Sequence, residues 1–419
     1  MKQQKISALM VALLVSAGVM AEDPSLKNPL VLDGQTVDTR TVTERETYKN
    51  TVVPSVVAGP GHVVVGQSNI VNATDGSTTV IGGQNFVADT AKDGNIFGDG
   101  SSITGYQSQA GGDNNHLIGE QNSAFGMNNQ VNGNHTHAYG GGNNITGDQS
   151  TATGHYNLIT GHNSSAFGYD NKAQANETTV VGHQSVASGL NASAFGSKAT
   201  ASGESSLAMG TGSNATADSA VAIGNDSNAT GKSSVALGES TNATGVFATS
   251  LGDSSSALAN GSVAISVDSK AKGVNSMAMG RESLTTHDNS VALGSHSVSK
   301  LEKSVTTATV GSNTYTGFAG TTPIATVSVG DEGKERQVVN VAAGEISATS
   351  TDAINGSQLY MVADQVGKNK TRIDNIRMRT SDVKVKAGDN INVEEAYDDA
   401  NQVKTYTIST AKDIKADSY

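Results

Sequence analysis

The sequence predicts an all-β chain in which short parallel strands coil into a β-roll, followed by a short coiled coil and a small β module. Three observations support this prediction. Glycine recurs every 14 residues over most of the chain, apolar residues alternate with small ones just before each of these glycines, and a heptad of apolar residues lies near the C-terminus.

The composition excludes several classes of protein. The chain has 419 residues with 48 glycines, no cysteine and no tryptophan, and its aromatic fraction is only 4%. Its net charge of −12 argues against nucleic acid as a partner, because phosphate contacts need clusters of lysine and arginine. Without cysteine, no disulfide can stabilise an exported form of the protein.

Residues 1–21 are expected to be a signal peptide. Lys2 and Lys5 precede an apolar run that ends at a small-residue cleavage site, Val19-Met20-Ala21. That run is shorter than the ~20 residues that a membrane-spanning helix needs. We expect the signal peptide to be followed by an N-terminal segment over residues 22–57, whose role the sequence leaves open.

Residues 58–297 are expected to form the β-roll. The glycines that close successive apolar units lie 14 residues apart, and Ser266 fills the one gap in their series. These turn glycines are Gly98, Gly112, Gly126, Gly140, Gly154, Gly168, Gly182, Gly196, Gly210, Gly224, Gly238, Gly252, Gly280 and Gly294. A second glycine follows seven residues after most of them, so each coil should hold two strands and two tight turns. Positive φ angles at both turns would explain both sets of glycines.

The alternation within one unit leaves two arrangements open. Val235 and Leu237 flank Ala236, so either the two large side chains or the alanine fills the roll. In both cases a second, weakly apolar stripe faces outward. A roll this thin buries too little apolar surface to offset its chain entropy comfortably, so we expect an obligate oligomer.

Beyond the repeats, the spacing of apolar residues changes to that of a coiled coil. Leu359, Val362, Val366, Ile373 and Ile376 follow each other at alternating steps of three and four residues, with Asn369 in one core position. A buried asparagine in such a seam fixes register and strand number. Ser357 is the candidate N-cap of this helix, and Asn355-Gly356 permits a turn before it.

The motifs resemble those of the YadA-like trimeric autotransporter adhesins. The head motif of that family is similar to "SAVAIG", "SSVALG", "NSMAMG" and "NSVALG", and its neck is similar to "RQVVNVAAGEISATSTDAINGSQLY". Within the neck, the motif residues are Asp352, Ala353, Asn355, Gly356, Gln358 and Leu359. "YTGFAGTTPIATVSVG" resembles the insertion before the neck, and "KVKAGDNINV" with "KTYTIST" resembles a β stalk module. The resemblance covers roughly residues 58–419.

The resemblance implies a trimer of left-handed parallel β-rolls that narrows onto a coiled coil. It divides the rest of the chain into an insertion at 298–335, a neck at 336–358, a stalk at 359–380 and an incomplete β module at 381–419. Asn369 from three chains would ring the axis and could hold a chloride or similar anion. The family also has an outer-membrane barrel. This sequence ends without one, so the protein is expected at the cell surface if an anchor follows, and otherwise secreted or periplasmic.

Other chemistries find little support. The nine histidines do not show a zinc-ligand spacing, although "HTH" places His135 and His137 close together and His155 and His183 share one repeat position. Calcium, ice and N-glycan attachment at Asn191, Asn214, Asn228 or Asn242 are weaker interpretations. No catalytic motif is present, so we expect no enzyme, no metal and no cofactor.

The expected function is adhesion by a multivalent head. The resemblance implies host matrix proteins of the collagen, fibronectin or laminin type as partners. Self-association between cells and a purely structural spacer are the alternatives. Individual ligand-contacting residues cannot be identified from the sequence, because every coil offers similar groups.

Overall fold

The computed structural model describes residues 30–31, 55–57, 61–74, 76–381, 383–400 and 403–412. The expected signal peptide, residues 1–21, lies outside these residues, as does most of the 22–57 segment. The chain divides into two compact units. The first contains residues 1–302 and 324–336, and the second contains residues 303–323 and 337–419.

The first unit is a parallel solenoid in which each coil adds one strand to each of two sheets, which we call sheet A and sheet B. Partners in neighbouring coils are 14 residues apart over the regular part, as with Val235 and Thr249 in sheet A. In sheet B, Asn228 is likewise paired with Asn242. The 14-residue period of the sequence is therefore the length of one coil.

The strands of sheet A are Leu30–Val31, Val63–Val65, Thr79–Ile81, Asn95–Phe97, Gln109–Gly111, Ser123–Met127, His137–Gly141, Thr151–His155, Ser165–Tyr169, Thr179–His183, Ser193–Ser197, Leu207–Met209, Val221–Ile223, Val235–Leu237, Thr249–Leu251, Val263–Ile265, Met277–Met279, Val291–Leu293 and Val327–Ser328. The strands of sheet B are Val56–Val57, Ile70–Val71, Phe86–Val87, Ser102–Ile103, His116–Ile118, Gln130–Asn132, Asn144–Ile145, Leu158–Ile159, Lys172–Ala173, Val186–Ala187, Thr200–Ala201, Asn214–Ala215, Asn228–Ala229, Asn242–Ala243, Ser256–Ala257, Lys270–Ala271 and Leu284–Thr285.

In most strands of sheet A, the residue that points into the roll is alanine, and the large apolar residues on either side of it point outward. Ala236 is fully buried, whereas Val235 and Leu237 on either side of it are only partly buried and face outward. The structure thus selects one of the two arrangements that the alternation allows. The interior also narrows along the chain, because sheet B contributes buried Ile145 and Ile159 to earlier coils but only alanine, such as Ala229, to later ones.

Buried asparagines satisfy the backbone at one corner of the earlier coils. The Nδ2 group of Asn143 donates to the Oδ1 atom of Asn129 at 3.0 Å and to the carbonyl of Gly154 at 2.9 Å. Its own Oδ1 atom accepts the backbone N–H of Asn157 at 3.1 Å. Because buried polar groups must be paired, this repeated pattern fixes the register of one coil on the next. Later coils carry serine or threonine there, and Thr241 Oγ1 donates to the Gly238 carbonyl at 3.1 Å.

The turn glycines predicted from the period all have positive φ, with values between 93° and 145°. A Cβ atom on Gly126 would lie 1.8 Å from the carbonyl oxygen of Gly140 in the next coil. Both the backbone conformation and the closeness of the neighbouring coil therefore require glycine at this position.

The glycines of the second set, apart from Gly119, lack the positive φ angle that was the predicted reason for glycine there. Gly147, for example, is absent from the residues with positive φ, but a Cβ atom there would lie 2.0 Å from the carbonyl oxygen of Gly161. Gly119, with a φ angle of 98°, fits the predicted reason. At the other positions of this set the close approach of the next coil, and not the φ angle, favours glycine. Other residues supply a left-handed conformation every seven residues, and they include side chains as large as Tyr156 and Phe247.

Ser266 adopts the conformation that its sequence position demands of glycine. Its φ angle is 99°, a region that side-chain-bearing residues rarely occupy, and its N–H still donates to the Leu251 carbonyl at 2.7 Å. The flanking coils therefore hold Ser266 in a strained backbone conformation.

We expect Ser266→Gly to raise the free energy of unfolding by about 1 kcal/mol, because glycine adopts this φ angle without steric conflict. Chemical denaturation of the wild-type and variant proteins measures the change. Gly252→Ser, one coil earlier, is the matched control and should lower stability, since its Cβ atom would lie 2.7 Å from the Ser266 carbonyl carbon. Equal or lower stability of Ser266→Gly would contradict the strain.

The second unit contains two antiparallel hairpins and a helix. One hairpin pairs Thr307–Val310 with Asn313–Thr316, and the other pairs Ile391–Asp398 with Val403–Thr410. The helix runs over Gly356–Ser381. Among the described residues, no helix is both long enough and apolar enough to cross a membrane.

Candidate functional site: the outer face of the roll, the neck and the helix

The outer face of sheet A carries an apolar stripe over its later coils. The first and third residue of each strand point outward there, and nearly all are apolar. We define the apolar stripe as Leu207, Met209, Val221, Ile223, Val235, Leu237, Leu251, Val263, Ile265, Met277, Met279, Val291 and Leu293. Met209, Leu251 and Leu293 are more than 40% exposed. A continuous apolar surface of this extent indicates an interface.

The earlier coils present a different outer face. Aromatic rings occupy the third position of several strands, and Phe125 stacks on Tyr139 with ring centroids 5.9 Å apart. The first position is polar, and His137 stands there beside Tyr139 with its Nδ1 atom buried and unpaired. The two halves of the sheet A face therefore differ in chemistry although they share one backbone geometry.

The histidines do not come together into a ligand set. Within the described part of the chain, no group of three or more His, Asp or Glu side chains could hold a metal ion. Eight of the nine histidines lie at or near the surface. His62 is the exception and is buried. Its Nε2 atom bonds the Ala73 carbonyl at 2.8 Å, and its Nδ1 atom accepts the Thr78 N–H at 3.3 Å. Burial lowers the pKa of His62.

The neck residues form a compact loop around the start of the helix. Gln358 accepts the N–H of Gly344 at 3.1 Å through Oε1 and donates to the Gly344 carbonyl at 2.7 Å through Nε2. Asp352 accepts the N–H of Glu345 at 3.1 Å. A Cβ atom on Gly344 would lie 2.5 Å from the carbonyl oxygen of Ala353. The neck motif therefore holds this loop closed by hydrogen bonds and close backbone packing.

Asn355, and not Ser357, caps the helix. The Oδ1 atom of Asn355 accepts the N–H of Gln358 at 3.2 Å, and the Oε1 atom of Gln358 accepts the N–H of Asn355 at 3.1 Å. This reciprocal pair is a capping box, and the helix begins at Gly356. The prediction of Ser357 as N-cap is wrong because the helix already begins at Gly356, which places Ser357 inside the first turn. Asn355 Nδ2 also donates to the Val341 carbonyl at 3.1 Å.

The predicted heptad residues form an exposed stripe on the helix. Each of them is between 54% and 61% exposed. These residues are Leu359, Val362, Val366, Ile373 and Ile376. Asn369 lies in the same series, and its Oδ1 atom accepts a hydrogen bond from Gln365 at 2.9 Å. A helix with an exposed a/d stripe is typical of a chain that packs against partner helices.

Arg336 caps the last coil of the roll, a role that sequence reasoning missed. Its guanidinium donates to the Val329 carbonyl at 2.7 Å, to Ser297 Oγ at 3.1 Å and to the Ser295 carbonyl. The group also lies over Gly294, the last turn glycine. Free backbone carbonyls at the end of the solenoid thus receive charged donors.

Together these features define a class of protein: a repeat-built β-roll head joined through a neck to a helical stalk. Residues 337–380 match the coiled stalk of trimeric autotransporter adhesins. The YadA head domain repeat (2 copies) matches at 160–185, 176–199, 187–213, 201–227, 215–241, 229–254, 243–265 and 271–297. Over these ranges the chain is similar to the head and stalk of the YadA-like trimeric autotransporter adhesins.

Two further proteins are similar over part of the chain. The autotransporter adhesin BtaE of Brucella suis biovar 1 (strain 1330) is 56% identical over 61 residues, which are 15% of this chain and 8% of BtaE. The chain thus spans a small part of this curated relative. The C-terminal YadA-like domain of a Burkholderia pseudomallei protein is 30% identical, with a TM-score of 0.24, over 35% of this chain and 56% of that domain's chain.

We expect Asn355→Ala to destabilise the start of the helix by about 1 kcal/mol, because it removes the N-cap oxygen. Hydrogen exchange of the backbone amides over residues 356–362 should become faster by about fivefold. Ser357→Ala is the matched control and should leave exchange nearly unchanged. The opposite ranking of these two variants would restore Ser357 as the cap.

Proposed function

We propose that the chain acts as an exported homotrimer whose three heads pack through the apolar stripe. Membership of the trimeric autotransporter adhesins implies homotrimer assembly. Two separate exposed surfaces support the proposal, since both the apolar stripe and the heptad stripe of the helix would be covered by other copies. One sits in the head unit and one in the stalk unit, so each unit brings its own contact surface.

In such a trimer, Asn369 from three helices would surround the axis. Side-chain amides can donate N–H groups to a small anion. The hydrogen bond from Gln365 uses the Oδ1 atom of Asn369, so this bond leaves the Nδ2 group as a donor. We propose this ring as the place of a chloride or similar anion. The stalk heptads would then pack from Leu359 to Ile376 around it.

We propose that the assembled head is an adhesin at the cell surface. Its partners would be host matrix proteins of the collagen, fibronectin or laminin type. The observation that carries this proposal is the run of head repeats from residue 160 to residue 297, which match the YadA head. Adhesin family membership implies a non-enzymatic role. Three weak sites on one rod bind a surface far more tightly than one site does.

The proposed division of the chain keeps the expected bounds. Residues 1–21 would direct export, 58–297 would form the head, 298–335 the insertion and 336–358 the neck. Residues 359–380 would form the stalk, and 381–419 would belong to a further β module. Export places the head outside the inner membrane, where an adhesin meets its partners.

The test is adhesion of the purified mature chain to immobilised collagen, fibronectin and laminin and to cultured host cells. We expect saturable binding to at least one of these surfaces, because three sites on one rod act together. A chain with shuffled head repeats is the control. Binding no better than this control on every surface would overturn the matrix-adhesin proposal, and head-dependent clumping of cells would then favour self-association.

A further inference from the structure

Four exposed rings form a ladder at one edge of the head. His155, Tyr156, Tyr169 and His183, which we call the aromatic ladder, lie on three successive coils. Tyr169 stacks on His183 with ring centroids 5.3 Å apart, and Tyr156 meets Tyr169 edge to face at 5.6 Å. The rings of His155 and Tyr156 lie 6.4 Å apart. The ladder therefore presents connected ring surfaces along the axis of the roll.

The preceding coil is shaped to accommodate these rings. It carries glycine at both equivalent positions, Gly141 and Gly142. A Cβ atom on Gly142 would lie 2.7 Å from the ring of Tyr156, and one on Gly141 would lie 2.8 Å from Nδ1 of His155. The rings thus lie directly on the backbone of the neighbouring coil, which restricts their motion before any ligand arrives.

The two tyrosine side chains remain accessible to solvent. Tyr156 is 60% exposed and Tyr169 is 45% exposed. Tyr156 also has a φ angle of 60°, a conformation in which a large aromatic residue is uncommon. Exposed, pre-positioned aromatic residues with polar tips are typical of recognition surfaces, because they offer a large contact area at low entropic cost.

Polar groups flank the rings on the same edge. Gln184 Nε2 donates to the Oδ2 atom of Asp170 at 3.2 Å, and both residues follow ring-bearing positions of the ladder. Asp170 is the one charged residue among positions 155, 156, 169, 170, 183 and 184. Lys198 occupies the same repeat position two coils after Asp170, and its N–H donates to the His183 carbonyl at 2.8 Å. The two charges offset each other, so this edge favours neither strongly acidic nor strongly basic ligands.

We propose that the aromatic ladder binds a neutral glycan chain. A pyranose ring presents an apolar C–H face that stacks on an aromatic ring, while its hydroxyl groups bond carboxylate and amide groups at the rim. Successive coils are about 4.8 Å apart, close to the length of one hexose in an extended glycan. Neighbouring sugars can therefore meet Tyr156 and Tyr169 on neighbouring coils. The inference deepens the proposed adhesin role by naming a ligand class.

The experiment uses the purified mature chain on an array of linear neutral hexose oligomers, with sialylated and sulfated glycans printed beside them. We expect binding to at least one neutral oligomer series. Tyr156→Ala and Tyr169→Ala should each lower that binding at least tenfold, whereas Tyr169→Phe keeps the ring and most of the binding. Phe247→Ala is the matched control, because Phe247 is also an exposed ring at a left-handed turn position, with φ of 58° and 66% exposure.

Thermal unfolding of every variant separates loss of binding from loss of fold. Neutral-glycan binding that the two tyrosine substitutions leave intact, or preferential binding of acidic glycans, would overturn the inference. So would the absence of neutral-glycan binding by the wild-type chain. Adhesion to matrix proteins and cells is measured in parallel. If the wild type adheres but neutral-glycan binding persists in Tyr169→Ala, the ladder inference fails while the adhesin proposal stands. If the wild type binds no surface, the adhesin proposal fails.

Discussion

The close approach of neighbouring coils is the constraint on which the rest of the structure depends. Parallel pairing brings each turn glycine so near to the next coil that an added Cβ atom would lie within about 3 Å of its backbone, as at Gly126 and Gly140. Fourteen residues complete a coil with two short strands and two turns. The buried asparagines from Asn129 to Asn171 reinforce the spacing, since each bonds the coil before and the coil after.

From this constraint follows the direction of the apolar side chains. A roll that admits mostly alanine from both sheets in its later coils has no interior room for Val235 or Leu237, so these side chains point outward. The interior supplies little hydrophobic stabilisation per residue, and the outer face holds apolar surface that water would otherwise cover. The same constraint makes the head long and thin, a shape suited to presenting many similar contacts. The proposed adhesin function therefore depends on assembly of the chains and on the few coils that depart from the repeat.

The sequence contains enough information to predict the roll, its period and the heptad, because these depend on strict spacing. It leaves the inward-facing residue open, since an alternation of period two is compatible with both faces. It misleads about the second set of glycines, because a close backbone neighbour and a positive φ angle both favour glycine. Gly147 and Gly126 look alike in the sequence, but Gly126 has a positive φ angle and a close backbone neighbour, whereas Gly147 has only the close neighbour.

Sites that combine residues from several coils were beyond sequence reasoning. The role of Arg336 needed the last coil in place. The cap at Asn355, by contrast, has a signal in the sequence, since Asn355 and Gln358 show the spacing of a capping box. The aromatic ladder required the register that sets Tyr156, Tyr169 and His183 beside each other. A signal existed in hindsight, because "GGG" at residues 140–142 interrupts the polar turn pattern just before the rings.

The most direct test of the account is the mass of the purified chain in solution, measured by native mass spectrometry together with light scattering. The outward apolar stripe and the exposed heptad predict an oligomer, and the match to the stalk of trimeric autotransporter adhesins predicts three chains in it, each at most 42.6 kDa. The particle should lose its mass and its β structure in one transition on heating. A monodisperse, stably folded monomer would contradict the account, because the apolar stripe would then tolerate water without a partner.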